Sequence, residues 1–160
     1  MQRVAIRKAT VDDVPLIFRF IEDFAEFDGR RARLQATPDM LRDGLFGAAP
    51  QASVVLAEVD GVPVGFASYF RTYSTALGRP GIWLDDLYVD EAARGRGIGT
   101  AVLRYLARLA QTSGCGRIEW TAGVENQRGL EFYRRSGATI REGALLCRLD
   151  RDAIRKLAEA

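Results

Sequence analysis

The chain has 160 residues, a length that fits one domain, and its 48% hydrophobic and 28% charged residues are typical of a folded globular protein. Its 23 basic and 21 acidic residues give a net charge of +2, which favours neither nucleic acid nor an anionic membrane as the main partner. The chain contains no histidine, which excludes Ser-His-Asp and Cys-His catalysis and histidine metal ligands.

Two cysteines, Cys115 and Cys147, form neither a CxxC motif nor a zinc pattern, and their roles stay open. Isolated cysteines in a chain of this size favour a reduced, cytoplasmic protein. The N-terminus lacks the apolar core of a signal peptide, and no apolar run approaches the ~18 residues of a membrane span. We therefore expect one cytoplasmic domain over residues 1–160, with no metal and no membrane partner.

The first third of the chain predicts a strand followed by two helices. Residues 4–9 alternate apolar and polar residues, as in a half-buried strand. Thr10 and Asp13 then form a capping box, and apolar residues at helical spacing predict a helix that ends near Asp28. Residues 37–46 begin with an N-cap threonine and a proline, which predicts a second, short helix.

The middle of the chain predicts three strands and a long helix. Residues 53–59 and 63–71 are strand-like and flank Asp60-Gly61, a dipeptide that favours a hairpin turn. Residues 81–89 form a third predicted strand. After a loop rich in glycine and arginine, residues 100–113 carry one apolar helical face.

The last third predicts further short elements. Residues 117–122 are strand-like, and Asn126 is a typical N-cap for a helix through Arg135. A final strand pair and a closing helix are predicted over residues 139–140, 144–149 and 150–158. This order predicts a mixed α/β sheet with helices on both of its faces.

The segment most informative about chemistry begins with the predicted strand Trp83 to Val89. It continues into Arg94-Gly95-Arg96-Gly97-Ile98-Gly99 and then into a helix. Glycines let backbone amides approach a ligand closely, and the positive end of a helix dipole favours a phosphate. A tight turn would explain the glycines alone, but two arginines in that turn, with no other evident use, indicate an anion. The spacing fits neither a P-loop nor a Rossmann fingerprint.

These residues resemble the GNAT acetyltransferase superfamily. Residues 94–99 match its [QR]-x-x-G-x-[GA] loop for the acyl-CoA pyrophosphate, and residues 126–138 match its N-x-x-x-x-x-F-Y-x-x-x-G-[FA] helix. Residues 65–89 resemble more closely the diamine acetyltransferase branch, which includes the spermidine/spermine and thialysine N-acetyltransferases. The resemblance extends over nearly the whole chain.

The chain departs from this branch at two positions on the acceptor side. Tryptophan is usual where this chain has Ala76, and glutamate is usual where it has Asp85. The first change removes a wall, and the second shortens a carboxylate by one methylene. Both enlarge the acceptor pocket, which predicts a bulkier or more branched amine, or a relaxed specificity.

The resemblance implies the GNAT fold, an α/β architecture whose mostly antiparallel mixed sheet is splayed at its centre. It implies an acetyl-CoA-dependent N-acetyltransferase, without metal, acting on a small primary amine such as a diamine, a polyamine or thialysine. Acetylation of another amine (an amino acid, an aminoglycoside or a protein N-terminus) is the alternative, and a non-catalytic acyl-CoA-binding module is a third interpretation. Because the branch is typically dimeric, we expect a homodimer.

Acetyl-CoA is expected to bind where the strands 81–89 and 117–122 separate. The resemblance implies that backbone groups of the first strand bind the pantetheine like an added strand, and that loop amides bind the pyrophosphate. The residues expected to bind acetyl-CoA are Leu87, Tyr88, Val89, Arg94, Gly95, Arg96, Gly97, Ile98, Gly99, Asn126 and Tyr133.

The aromatic residues divide between chemistry and core. Tyr133 occupies the family position of the general acid that protonates the departing thiolate, and a phenol suits this step because its pKa lies near that of a thiol. Without the motif, Tyr133 would be interpreted as a core residue beside Phe132. Trp83 and Trp120 lie inside predicted strands and are expected in the core.

The acidic residues are expected to bind the acceptor. Asp85 and Asp86 adjoin on a predicted strand, so their side chains are expected on opposite faces, and buried carboxylates need partners. One is expected to pair with an arginine. The other, Asp85 by family position, is expected to face the acceptor cleft, bind the cationic amine and help to remove its proton. Asp28 lies where the branch binds the distal end of the acceptor, although a solvated helix end explains it equally well. The expected substrate-binding set is Asp28, Asp85 and Asp86.

Overall fold

The computed structural model describes residues 3–160. Within these residues it contains five strands and five α-helices. The strands are β1 (Val4–Lys8), β2 (Ser53–Val59), β3 (Val62–Ser74), β4 (Arg79–Val89) and β5 (Ile118–Glu119). The helices are α1 (Val14–Phe27), α2 (Pro38–Phe46), α3 (Ile98–Thr112), α4 (Gln127–Arg135) and α5 (Arg151–Ala158).

The chain divides into two compact parts, and each is described by itself. The first part extends through Thr121 and contains the whole sheet with α1, α2 and α3. The second part, residues 122–160, contains α4 and α5. That the 160 residues act as one domain stays a prediction.

The five strands form one sheet in the order β1-β2-β3-β4-β5. Strands β1 to β4 are antiparallel neighbours, and β5 lies parallel to β4. The predicted hairpin between β2 and β3 is confirmed: Asp60 and Gly61 both have positive φ, at 51° and 82°, as a two-residue turn between twisted strands requires. The expected mixed, mostly antiparallel sheet is therefore confirmed.

Helices cover both faces of this sheet, as the sequence predicts. Helices α1 and α2 pack on one face, here called the α1 face, and α3 packs on the other, the α3 face. Alternate residues of each strand supply the two cores, because side chains alternate along a strand. The largest fully buried side chains are Ile17, Phe20, Leu56 and Phe66 on the α1 face, and Val55, Ile98, Val102 and Leu106 on the α3 face.

The start of α1 is tied to the sheet by the predicted capping box and an arginine. The Asp13 carboxylate accepts the Thr10 backbone N–H at 2.8 Å and two N–H groups of Arg7 at 2.8 and 2.9 Å. Arg7 also donates to Glu58 at 2.6 Å. These bonds stabilise the ionised carboxylate and lower the pKa of Asp13 to about 2. The direction in which α1 crosses the sheet is thus held by charge as well as by packing.

The pairing between β4 and β5 is short, and the splay at the centre of the sheet that the family resemblance implies stays a prediction. Within the described residues β5 pairs with β4 only through Ile82↔Ile118 and Trp83↔Glu119, whereas β4 stays paired with β3 as far as Val89. Beyond Trp83, β4 therefore has a partner strand on one side alone. Its other edge carries backbone hydrogen-bonding groups that an extended ligand can use.

Three predictions about the elements need correction. The strand pair over 139–140 and 144–149 is wrong, since the structure has no strand between residues 138 and 150. A strand persists only where a neighbour takes up its hydrogen bonds, and Leu145, in this segment, is 89% exposed. The strand over 117–122 shortens to Ile118–Glu119. Trp83 lies outside the core and is half-buried, whereas Trp120 does pack against the core on the α3 face.

Candidate active site

A β-bulge in β4 brings the two predicted acidic residues onto one face. Ser68 pairs with Asp86 and Tyr69 with Leu84, so Asp85 is one extra residue without a partner in β3. Leu84 and Leu87 both pack into the core of the α3 face. The two residues between them consequently point to the α1 face. The expectation that Asp85 and Asp86 lie on opposite faces is wrong, because alternation fails at a bulge.

Asp86 is the more buried of the two carboxylates. Its Oδ2 accepts a hydrogen bond from the Ser68 hydroxyl at 2.7 Å, and Ser68 itself is 9% exposed. Burial raises the pKa of Asp86, and the negative charges of Asp85 and Asp28 raise it further, while the Ser68 hydrogen bond and the positive charge of Arg30 act in the opposite direction. The site thus holds a carboxyl that binds its proton more tightly than an aspartate in water.

Asp85 and Asp28 complete an acidic cluster on the α1 face. Asp85 is exposed and accepts the indole N–H of Trp83 at 3.2 Å. Asp28, at the C-terminal end of α1, forms an ion pair with Arg30. Within residues 3–160, neither Asp85 nor Asp86 forms an ion pair, so the arginine partner expected for one of them is not observed. Arg30 pairs with Asp28 instead. Asp28 and Asp86 both lie near the guanidinium of Arg30, and the remaining excess of negative charge favours a cationic ligand.

The glycine-rich loop leads from β4 into α3. Gly95 and Gly97 have φ of 79° and 78°, and a Cβ on either would meet no atom within 4 Å, so the loop is open to a ligand. Gly97 is the N-cap of α3 and offers no side chain to its first turn. The N–H groups of that turn have no acceptor within the helix. Of the predicted loop residues, Arg96 is exposed, while Ile98 is buried and anchors the helix to the core.

Arg94 has a structural use that sequence reasoning missed. Its Nε donates to the Val89 carbonyl oxygen at 2.8 Å, which ties the loop to the end of β4. Its guanidinium carbon lies 4.5 Å from the ring centre of Phe27 and 5.6 Å from that of Tyr88. The argument that both loop arginines have no use other than an anion is therefore wrong for Arg94.

The side chains of the remaining predicted residues of β4 are engaged in packing. Leu87 and Val89 pack against the core of the α3 face. Tyr88 points to the α1 face, where its ring lies 6.2 Å from Phe20 and 5.9 Å from Phe24. Burial raises the pKa of the Tyr88 phenol.

Asn126 and Tyr133 lie together on α4, in the second part of the chain. Asn126 is confirmed as the N-cap, since its Oδ1 accepts the Gly129 N–H at 3.0 Å. Tyr133 is half-buried in the last turn of this amphipathic helix, with its ring centre 5.2 Å from that of Phe132. Asn126 thus caps the helix that carries Tyr133.

Three further residues of the α1 face were missed from the sequence: Ser68, Phe70 and Trp83. Ser68 is a polar residue inside the apolar run Gly65 to Phe70, which is the signal that could have singled it out. Its pairing with Asp86 depends on the bulge and has no such signal. Phe70 and Trp83 are cross-strand partners whose stacked rings lie 6.5 Å apart.

Residues 3–160 contain neither a candidate metal centre nor a helix suited to span a membrane. No group of three or more Asp, Glu, Cys or His side chains there has the arrangement to hold a metal ion. No helix in that range is both long and apolar enough to cross a bilayer. Cys115 and Cys147 are not joined in a disulfide.

Comparisons with known proteins give the same family as the sequence motifs. Residues 18–138 match the acetyltransferase (GNAT) family. The chain is 32% identical to thialysine N-epsilon-acetyltransferase from Bos taurus over 169 aligned positions, covering 99% of each protein. It is 26% identical to L-ornithine N5-acetyltransferase from Arabidopsis thaliana, covering 95% of this chain and 86% of the relative. An integron cassette protein from the mobile metagenome of V. cholerae superposes with a TM-score of 0.80 at 27% identity, covering 98% of both chains.

Replacing Asp86 by asparagine should stabilise the protein at neutral pH. Burial raises the folded-state pKa of Asp86. The wild-type free energy of unfolding should therefore fall as pH rises from about 4 through that pKa, since the ionised carboxylate is better solvated when unfolded. Asp86→Asn removes the charge and this dependence. Urea unfolding between pH 4 and 8 measures the effect, with Asp12→Asn, at an exposed position, as control; a less stable Asp86→Asn variant at pH 7 would contradict it.

Proposed function

The chain belongs to the acetyltransferase (GNAT) family and is an acyltransferase, and from that premise we propose that its acceptor is a small molecule with two amines. The family uses acetyl-CoA, which brings an activated thioester. The observation that carries the proposal is the acidic cluster, in which Asp28 and Asp85 both act electrostatically on the buried Asp86. The relatives from Bos taurus and Arabidopsis are named for acetylation of the ε-nitrogen of thialysine and N5 of L-ornithine, which supports an acceptor of this class.

The loop from Arg94 to Gly99 fits the pyrophosphate of acetyl-CoA. Its glycines leave an open backbone, and the uncapped first turn of α3 presents N–H groups and the positive end of the helix dipole. Arg96, exposed in the same loop, is the arginine that would add positive charge. Arg94, held on Val89, would act mainly by fixing the shape of the loop.

The unpaired edge of β4 supports the expected site for the pantetheine. An extended chain can add to a strand edge through backbone hydrogen bonds, and Leu87 and Val89 lie on this stretch. A backbone N–H near Leu87 would stabilise the negative charge that develops on the carbonyl oxygen in the transition state. The side chains of these residues are engaged in the core, so the backbone carries this role.

Two side chains would move the protons. Tyr133 would protonate the departing thiolate, a role supported by its position in the family motif and by its place on the capped helix α4. A carboxylate would take the proton of the attacking ammonium through water. Asp86 suits this step better than Asp85, which the sequence favours, because burial raises the pKa of Asp86. Asp85, being exposed, would bind a cation.

We extend the proposal to the organisation of the protein. The family match over residues 18–138 crosses the boundary after Thr121, which supports the interpretation of residues 1–160 as one domain. The resemblance to the diamine branch supports a homodimer, and two cysteines outside any disulfide are consistent with a cytoplasmic location. No metal is needed, because the thioester is already activated.

The loop assignment predicts that Gly97→Val weakens binding of acetyl-CoA by about tenfold or more, as the loss of one charge-assisted hydrogen bond would. Valine strains a backbone with φ of 78° and displaces the amides. Gly114→Val is the matched control, because Gly114 ends the same helix with φ of 65° and an equally open Cβ position. Calorimetry on both folded variants should show a loss of affinity for Gly97→Val alone; equal affinities would refute the assignment.

The general-acid assignment predicts that Tyr133→Phe retains fold and acetyl-CoA affinity but loses ~10²–10⁴-fold in kcat. The variant should also lose the basic limb of the pH–rate profile, since the phenol assigned as proton donor is no longer there to titrate. Phe132→Leu removes the neighbouring ring without removing a proton donor and serves as control. A kcat near that of the wild type for Tyr133→Phe would show that water protonates the thiolate.

The acceptor assignment is tested by Asp28→Asn with a panel of diamines, diamino acids and monoamines. Each negative charge at the site attracts a dication about twice as strongly as a monocation. The variant should therefore raise KM for diamines several-fold more than for monoamines, measured by release of CoA. The control Asp12→Asn should leave KM unchanged for both acceptor classes. Equal effects on both acceptor classes would show that Asp28 is only a solvated helix end.

A further inference from the structure

An aromatic pair lies beside the acidic cluster, on the same α1 face. Phe70 of β3 and Trp83 of β4 are direct cross-strand partners, and their rings are stacked with 6.5 Å between centres and 28° between planes. Phe70 is 36% exposed and Trp83 is half-buried, so the pair keeps an accessible surface. Trp83 is also the last residue of β4 that pairs with β5, which sets the pair where the two strands begin to separate.

The indole of Trp83 is held by a carboxylate. Its N–H donates to Oδ1 of Asp85 at 3.2 Å. The N–H lies on the electropositive edge of the ring, so the bond orients the ring and leaves its electronegative face to other contacts. A negative charge on that edge also increases electron density over the ring face, which strengthens attraction for a cation.

We propose that Phe70, Trp83 and Asp85 form the subsite for the non-reacting ammonium group of the acceptor. This inference rests on the proposed function and deepens it. The carboxylate supplies the charge, and the two rings supply a flat, weakly hydrated surface on which an alkylammonium group and its adjoining methylenes can lie. Asp86, one residue further along β4, remains for the amine that reacts.

A subsite of this kind differs from a carboxylate alone in what it tolerates. A carboxylate that binds through hydrogen bonds needs N–H donors on the ligand. An aromatic face attracts the positive charge without such donors, so it accepts a quaternary ammonium as well as a primary one. A neutral group of the same shape gains only the apolar contact. The order of kcat/KM among acceptors that differ in their distal group therefore distinguishes an aromatic subsite from a carboxylate alone.

The first experiment measures acetyl transfer to three acceptors that share one primary amine and one chain length. The distal group is an ammonium, a trimethylammonium or a neutral tert-butyl group. For the wild type we expect kcat/KM for the two cations within about threefold of each other, and about tenfold or more above the neutral analogue. A trimethylammonium acceptor as poor as the neutral one would overturn the proposal.

The second experiment compares variants of the aromatic pair. Trp83→Leu should lower kcat/KM for both dicationic acceptors by about 5–30-fold, mainly through KM, and Trp83→Phe should retain part of the activity. The neutral analogue should change by less than about twofold, because it makes no cation–π contact. Tyr73→Leu is the matched control, since Tyr73 is on β3, on the opposite face from Phe70, and 67% exposed. Equal losses for cationic and neutral acceptors would mean that Trp83 is only structural.

A third measurement does not depend on removing the ring. Fluorination of indole weakens its cation–π attraction with little change of shape. In a Trp120→Phe background, incorporation of mono-, di- and trifluorotryptophan alters Trp83 alone, and kcat/KM for the diamine should fall with each added fluorine. No dependence on fluorine would overturn the proposal even if Trp83→Leu failed to fold. A wild-type enzyme that acetylates monoamines but no diamine would refute the subsite, whereas one that acetylates no amine would refute the proposed function itself.

Discussion

The arrangement of carboxylates on the α1 face depends on one extra residue in a strand. In β4, Asp85 has no partner in β3, and the bulge turns both Asp85 and Asp86 to the α1 face. A regular strand would have directed one of these carboxylates into the apolar core of α3, where an unpaired charge is costly. The bulge avoids that cost and concentrates two negative charges on one surface. The pairing of β4 with β5 ends two residues earlier, so the bulge lies next to the stretch of β4 that has a partner strand on one side only.

That concentration of charge is only partly compensated within the protein. Ser68 and Arg30 favour the ionised form of Asp86, but burial and the neighbouring carboxylates outweigh them, and the pKa is raised. The ionised carboxylate of Asp86 is therefore less well solvated in the folded protein than in water, which lowers stability. Active sites commonly carry such a cost in stability in exchange for function. A cationic acceptor would supply the missing compensation. Binding of that cation would relieve the repulsion among the carboxylates.

The sequence predicts the elements far better than the contacts of the site. Caps and turns are local, so Thr37, Asp60-Gly61 and Asn126 were identified from their own neighbours. The bulge is not local, since it depends on how β3 aligns with β4, and the alternation rule therefore misplaced Asp85. Arg94 was misread for the same reason: its partners are Val89 and the ring of Phe27, which is 67 residues earlier in the chain. The strand predicted over 144–149 is absent from the structure, because apolar residues in the sequence do not indicate whether a neighbouring strand is available to pair with.

The charges of the site also show why net charge was a poor guide to the partner. A sum of +2 argues against a polyanionic partner, yet β4 connects a cluster of carboxylates with a loop whose backbone N–H groups are suited to an anion. At its C-terminal end, the loop and the first turn of α3 present N–H groups and Arg96. A few residues before, Asp85 and Asp86 present carboxylates. Because β4 leads from the carboxylates directly towards the loop, the backbone of one strand and its following loop relates the position of an anionic ligand to that of a cationic one. Two substrates of opposite charge can then be aligned by a single rigid element, without any side chain having to reach across the site.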